Sequence, residues 1–149
     1  MNNKAMEELN MATLDDIIDD FEFIDDWEER YRYVIELGKK LPPLADEEMS
    51  AENKVQGCVS QVWLLSEPDM SDADNPIMNF RGASDAHIVS GLVAIMLIAF
   101  SGIPAQKVAN VNENEIFEKL GLVEHLTPQR ANGLRAMVAR IKQHANDAL

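Results

Sequence analysis

Cys58 is the chain's single cysteine, and its thiol is the strongest nucleophile the sequence offers once ionised. It lies in the stretch Lys54-Val55-Gln56-Gly57-Cys58-Val59-Ser60-Gln61-Val62-Trp63-Leu64. A polar segment containing a glycine there gives way to apolar residues suited to a buried strand. Gly57 lets the backbone turn or lets another chain come close. The thiol is therefore expected at a loop-to-strand junction, where functional groups are often displayed by a rigid scaffold. Ser60 and Gln61 can hydrogen-bond the loop or a bound partner. A lone cysteine is often a small buried hydrophobe, but core cysteines usually sit in apolar runs, not beside glycine, serine and glutamine. One thiol cannot form an internal disulfide, and a reducing cytoplasm suits it.

Other chemistry is sparsely represented. His87, His125 and His144 are far apart in sequence and lack i, i+4 pairing, so neither a metal site nor a Cys–His nucleophile pair is expected. Thirteen Lys and Arg against 26 Asp and Glu leave a net charge of −13. Such an acidic surface repels phosphate backbones and anionic membranes, which argues against nucleic-acid or membrane binding. The longest apolar run, residues 92–100, is about half the length needed to span a bilayer. The opening MNNKAMEELN lacks the basic and apolar regions of a secretory signal, so the chain is expected to be cytoplasmic.

The acids cluster. Eleven carboxylates fall within residues 7–29, and Lys4 and Arg30 are the only bases of the first thirty residues. They form either a solvated helix face with favourable charges near helix N-termini or a docking surface for a basic partner. No DxDxDG-type spacing marks a calcium site.

The elements that must position Cys58 follow from periodicity and punctuation. One domain covering 1–149 is expected, with residues 1–12 as a flexible tail. Thr13 reads as an N-cap before Leu14, Ile17, Ile18 and Phe21 at helical spacing. A second helix is predicted over 27–41, with Trp27, Tyr31, Val34, Ile35 and Gly38 on one face, stopped by Pro42-Pro43. Residues 59–65 read as a strand, 67–76 as a connection, and 77–81 as its returning partner. A further strand around 54–56 brings the count to about three. Ser84 reads as the N-cap of a long helix beginning Ser84-Asp85, apolar all round and hence central. Ser101-Gly102-Ile103-Pro104 stops it, and short helices are predicted over 105–108 and 113–120. Thr127-Pro128 opens a last helix to about Ala145, burying Leu134, Met137, Val138 and Ile141. Helices, a small antiparallel sheet, then helices make an α+β fold.

The chain resembles the SufE family of sulfur acceptors. Val55, Gly57, Cys58, Ser60, Gln61, Val62 and Trp63 match the family motif V-x-G-C-x-S-Q-V-W. Similar blocks are Asp26-Trp27-Glu28-Glu29-Arg30-Tyr31, Ile35-Glu36-Leu37-Gly38-Lys39, Leu41-Pro42, and Ser84-Asp85-Ala86 with Ile88-Val89 and Gly91-Leu92. Toward the C-terminus, Leu120-Gly121-Leu122, His125-Leu126-Thr127-Pro128, Arg130, Gly133-Leu134 and Ala136-Met137 match as well. The likeness spans about 21–145. Val59, Ala83 and Ser90 depart from residues often found at those family positions, which bears on partner preference more than on sulfur chemistry.

The resemblance implies a small antiparallel sheet flanked by helices. It also implies that Cys58 takes sulfur from the persulfide of a cysteine desulfurase, activates that enzyme, and passes sulfur to an iron–sulfur assembly scaffold. Pyridoxal phosphate is expected on the desulfurase, and no cofactor or metal on this chain. Arg130 is linked by the resemblance to the cysteine region and partner docking, and a guanidinium there would favour the thiolate; alternatively it is an exposed first-turn arginine. Asp85 either stabilises a helix start or contacts the desulfurase. The competing class is an enzyme with a cysteine nucleophile, which would need a base or resolving thiol beside Cys58. A cluster scaffold would need about four thiolate ligands, which one cysteine cannot supply within a monomer.

Overall fold

The computed structural model describes residues 14–57 and 60–149. Cys58, Val59, the N-terminal tail and the Thr13 cap lie outside the described residues. The element order is α1 (Leu14–Phe23), α2 (Trp27–Lys39), a 3-10 turn (Asp46–Glu48), β1 (Val62–Ser66), β2 (Ile77–Met78), β3 (Phe80–Ser84), α3 (His87–Phe100), β4 (Ile103–Pro104), α4 (Ala105–Asn110), α5 (Glu113–Leu120), α6 (Leu122–His125) and α7 (Pro128–Ala148). The fold is α+β, with small antiparallel ladders flanked by helices.

Helix α2 begins because the Asp26 side chain accepts from the Glu28 N–H, satisfying one of the first-turn donors. It ends at Lys39, two residues before the expected stop, where the Lys40 N–H closes onto Leu37 and Gly38 carbonyls. Its buried residues are Val34, Leu37 and Gly38. They press on α3, whose Val89, the run 91–97 and Phe100 are all buried. A helix covered on every side cannot be amphipathic, and α3 is the centre of the core, as its sequence indicates. The two helices meet backbone to backbone. A Cβ on Gly91 would stand 2.1 Å from the Val34 carbonyl oxygen, and one on Gly38 would stand 2.6 Å from the Gly91 nitrogen. Only glycine fits at this crossing.

The ladder β1–β3 is antiparallel, pairing Val62 with Ser84, Leu64 with Gly82 and Ser66 with Phe80. The predicted strand at 54–56 appears as a single bridge, Lys54 to Trp63, on the other side of β1. The 77–81 run is divided at Asn79. Ile77 and Met78 pair instead with Pro104 and Ile103 of β4 in a second ladder. The sequence shows Ile103-Pro104 only as a helix stop. The turn into β4 uses Gly102 at φ +79°, a conformation that favours glycine.

One expected cap is corrected. Ser84 does not open α3, because it is still in the β3 ladder opposite Val62. The helix starts at His87, with Ala86 in the cap position, and the Ser84 hydroxyl accepts from the Ala86 N–H at 3.2 Å. By contrast, Thr127 caps α7 as expected. Its Oγ1 accepts from the Arg130 N–H at 3.3 Å, with Pro128 in the first turn. Leu134, Met137, Val138 and Ile141 are buried, and the helix runs three residues past Ala145 to Ala148. The single turn of α6 has no periodic signal of its own in the sequence; it follows Gly121 in the left-handed region at φ +64°.

Candidate functional site

The residues on either side of Cys58 are held by two different devices. On the N-terminal side Val55 is 2 % exposed and its N–H donates to the Val62 carbonyl at 2.8 Å. That bond brings 55 and 62, which flank Cys58 in the sequence, together. Gly57 has φ +93°, and a Cβ built there would stand 3.4 Å from the Ala136 Cβ of α7. A side chain at 57 would be strained by its backbone before it met any neighbour.

On the C-terminal side Asp85 grips Gln61. The Gln61 N–H donates to Asp85 Oδ1 at 3.0 Å, and the Gln61 side-chain amide donates to Oδ2 at 3.4 Å. In return the Asp85 N–H donates to the Gln61 carbonyl at 3.2 Å. Asp85 therefore does not sit inside a helix first turn. It lies in the two-residue link between β3 and α3, where a carboxylate bonded to the backbone of a distant residue fixes a loop end. Its local bonds favour a role in the loop over that of a helix-end charge.

Ser60 forms one wall of a cavity of about 250 Å³. The floor is apolar, from Val89 and Leu92 of α3 and Met137 of α7, and the remaining lining includes Thr127, Gln129, Arg130 and Gly133. Arg130 and Ser60 thus share one cavity although 70 residues separate them. The cavity also lies at the N-terminal end of α7, where first-turn N–H groups carry partial positive charge. Arg130 and the helix end, two positive sources, both border the cavity that Ser60 lines. Both favour an anion such as a thiolate.

The histidines are not brought together. His87 is exposed at the start of α3, and the His125 ring stacks on Trp27 with centroids 3.8 Å apart. His144 accepts a hydrogen bond from Arg140 Nε at 3.0 Å. Burial, with Arg140 beside it, pulls the His144 imidazole below its ordinary range, while Asp147 opposes the shift. Among the described residues no group of three or more His, Cys, Asp and Glu is arranged to hold a metal.

The described acids of this segment, from Asp15 onward, lie on α1, in the link to α2 and at the start of α2. Arg30 turns inward, donating to the Ile24 and Phe21 carbonyls at 2.5 and 2.6 Å, and its guanidinium lies 5.4 and 5.0 Å from the Phe21 and Trp27 rings.

Known proteins are similar to this chain over most of its length. The family model SufE, described as an Fe-S metabolism associated domain, matches residues 15–145. The chain belongs to the SufE family. An uncharacterized SufE-like protein of Rhizobium etli is 62% identical over 139 residues, which is 93% of each chain. Another, from Rhizobium meliloti, is 56% identical over 139 residues, 93% of this chain and 99% of that one. The solution structure of a hypothetical protein from Thermus thermophilus shares the fold, with a TM-score of 0.72, 19% identity, and 92% and 96% of the two chains covered. Family membership assigns the chain a role in iron–sulfur metabolism. No helix among the described residues is long and apolar enough to cross a membrane.

Of the residues named from the sequence of this SufE family chain, the structure places Ser60 and Arg130 on one cavity, bonds Gln61 to Asp85 and sets Gly57 beside Ala136. Sequence reasoning did not foresee that Ala136 and Arg140 of α7 would meet Gly57 and Glu52. Their helical spacing to Arg130 and Gly133 is visible in the sequence, but nothing local ties them to residues 52–57.

Proposed function

We propose that Cys58 accepts sulfur from the persulfide of a cysteine desulfurase, stimulates that enzyme, and hands the sulfur on to an iron–sulfur assembly scaffold. The observation that carries this reading is the bond from Val55 to Val62, on either side of Cys58 in the sequence, next to a cavity lined by both Ser60 and Arg130. The Cys58 thiolate attacks the outer sulfur of the donor persulfide. The donor's sulfur–sulfur bond breaks, its cysteine leaves as a thiolate, and Cys58 carries the new persulfide. One neutral sulfur moves and no net oxidation occurs, as in thiol–disulfide exchange. Arg130 and the α7 N-terminus hold Cys58 as the thiolate and stabilise the anionic persulfide. Asp85 and Gln61 fix the C-terminal end of the loop. Release to the scaffold is the same exchange run onto a second thiolate, and no resolving cysteine competes within this chain.

The pyridoxal phosphate that liberates sulfur from cysteine belongs to the desulfurase in this scheme, and the exchange occurs in the reducing cytoplasm. Among the described residues no histidine or carboxylate lines the cavity, which weighs against a cysteine hydrolase or peroxidase with its own base. The test is the rate of alanine release by a cysteine desulfurase given excess cysteine. Wild-type protein raises it and Cys58→Ser does not. Equal rates with the two proteins would sink the reading.

A further inference from the structure

Helix α7 touches the segment that leads into Cys58 at two levels one turn apart. Arg140 Nη2 donates to the Glu52 carbonyl at 2.6 Å, and Ala136 stands behind Gly57. One turn nearer the helix start, Gly133 and Arg130 share the cavity with Ser60. Residues 52–57 therefore run antiparallel along α7, with 52 opposite 140 and 57 opposite 136. Arg140 is itself oriented. Its Nε donates to His144 Nε2 at 3.0 Å, so the imidazole is the neutral tautomer with its proton on Nδ1. From Glu52 the constraint passes directly to the ladder. The Asn53 carbonyl accepts from the Leu64 N–H at 2.8 Å, and the Val55 N–H donates to Val62 at 2.8 Å.

We propose that Arg140, oriented by His144, is a positioning residue for sulfur acceptance at Cys58, because it fixes the chain limb that enters the loop. This rests on the reading of Cys58 as sulfur acceptor and adds a residue outside the cavity that carries that reading. Arg140 touches no reacting atom. Its effect is to keep residues 52–57 in register with β1, so that the thiol is presented in one place when the donor docks.

The test uses the full chain in four forms, wild type, Arg140→Ala, His144→Gln and His144→Leu, with two readouts. The first is amide exchange at Val55 and Leu64 followed by NMR, which requires no sulfur chemistry. Arg140→Ala speeds exchange at both about three- to tenfold, the range one hydrogen bond commands, while the α3 amides are unchanged. The second is the rate of sulfur uptake from a persulfidated desulfurase at saturating donor, which falls by a similar factor. His144→Gln retains an uncharged acceptor for Arg140 and keeps both readouts near wild type. It also provides a folded control if Arg140→Ala proves unstable, and His144→Leu, which removes the acceptor, then falls toward the Arg140→Ala values. Uptake or exchange unaltered in both Arg140→Ala and His144→Leu, with wild type accepting sulfur, overturns the positioning role alone. If wild-type Cys58 takes up no sulfur, the acceptor reading itself is overturned, whatever the exchange rates show.

Discussion

The two long helices that meet at the cavity, α3 and α7, are built on opposite plans. Helix α3 is buried along nearly its whole length and meets α2 through glycines, so its residues are chosen by volume. Helix α7 buries one stripe, from Ala131 to Ala145, and turns Arg130, Ala136 and Arg140 toward the Cys58 loop. In the proposed scheme, stability and sulfur handling are divided between neighbouring helices. A substitution on α3 should change how much protein is folded, and one on the outer face of α7 should change what the folded protein does.

The largest effect tests the α3 side. Gly91→Ala places a methyl group 2.1 Å from a backbone carbonyl that has no rotamer in which to retreat. Overpacking costs about 1–3 kcal/mol where side chains can yield, and here the loss should reach at least the upper end. Urea denaturation measures it, and a wild-type midpoint would break the division. On the α7 side, Arg130→Ala should slow sulfur uptake about tenfold, equivalent to about 1.4 kcal/mol. Its stability should stay within about 0.5 kcal/mol of wild type, as for other exposed positions. A variant that transfers normally but unfolds easily would reverse the assignment.

The smallest effect is a pH dependence at the far end of α7. Lys142 bonds Glu113 at 2.8 Å and holds its carboxyl below the usual carboxylate range. A carboxyl whose folded pKa is depressed stabilises the fold above its unfolded pKa, and that contribution fades as pH falls through the lower folded value. Stability should therefore fall below about pH 4.5 by about 0.5–1 kcal/mol from this pair. In Lys142→Met that part of the acid loss should vanish, as thermal melts across the range would reveal.

Much of this division is legible in the sequence, for physical reasons. An apolar run without a polar face, as in 88–100, can only be a central helix. Thr127-Pro128 announces its helix because cap and proline act locally. What failed to show depends on partners distant in the chain. Ser84 has the side chain of a cap, yet pairing with Val62 keeps it in a strand. Asp85 reads as a helix-end charge until Gln61, 24 positions earlier, is seen bonded to it. Ile103-Pro104 reads as a stop because its pairing with Ile77 and Met78 is invisible locally. At the site, the cysteine motif marks the loop itself. The support from Ala136 and Arg140 is not marked, because alanine and arginine on a helix face look the same whether they touch a loop or water.

The most direct measurement is the mass of Cys58 after incubation with a cysteine desulfurase and cysteine. The peptide containing Cys58 should gain the mass of one sulfur atom, a reductant should remove it, and Cys58→Ser should gain nothing. A wild-type peptide of unchanged mass, with the desulfurase shown to be carrying its own persulfide, would contradict the account.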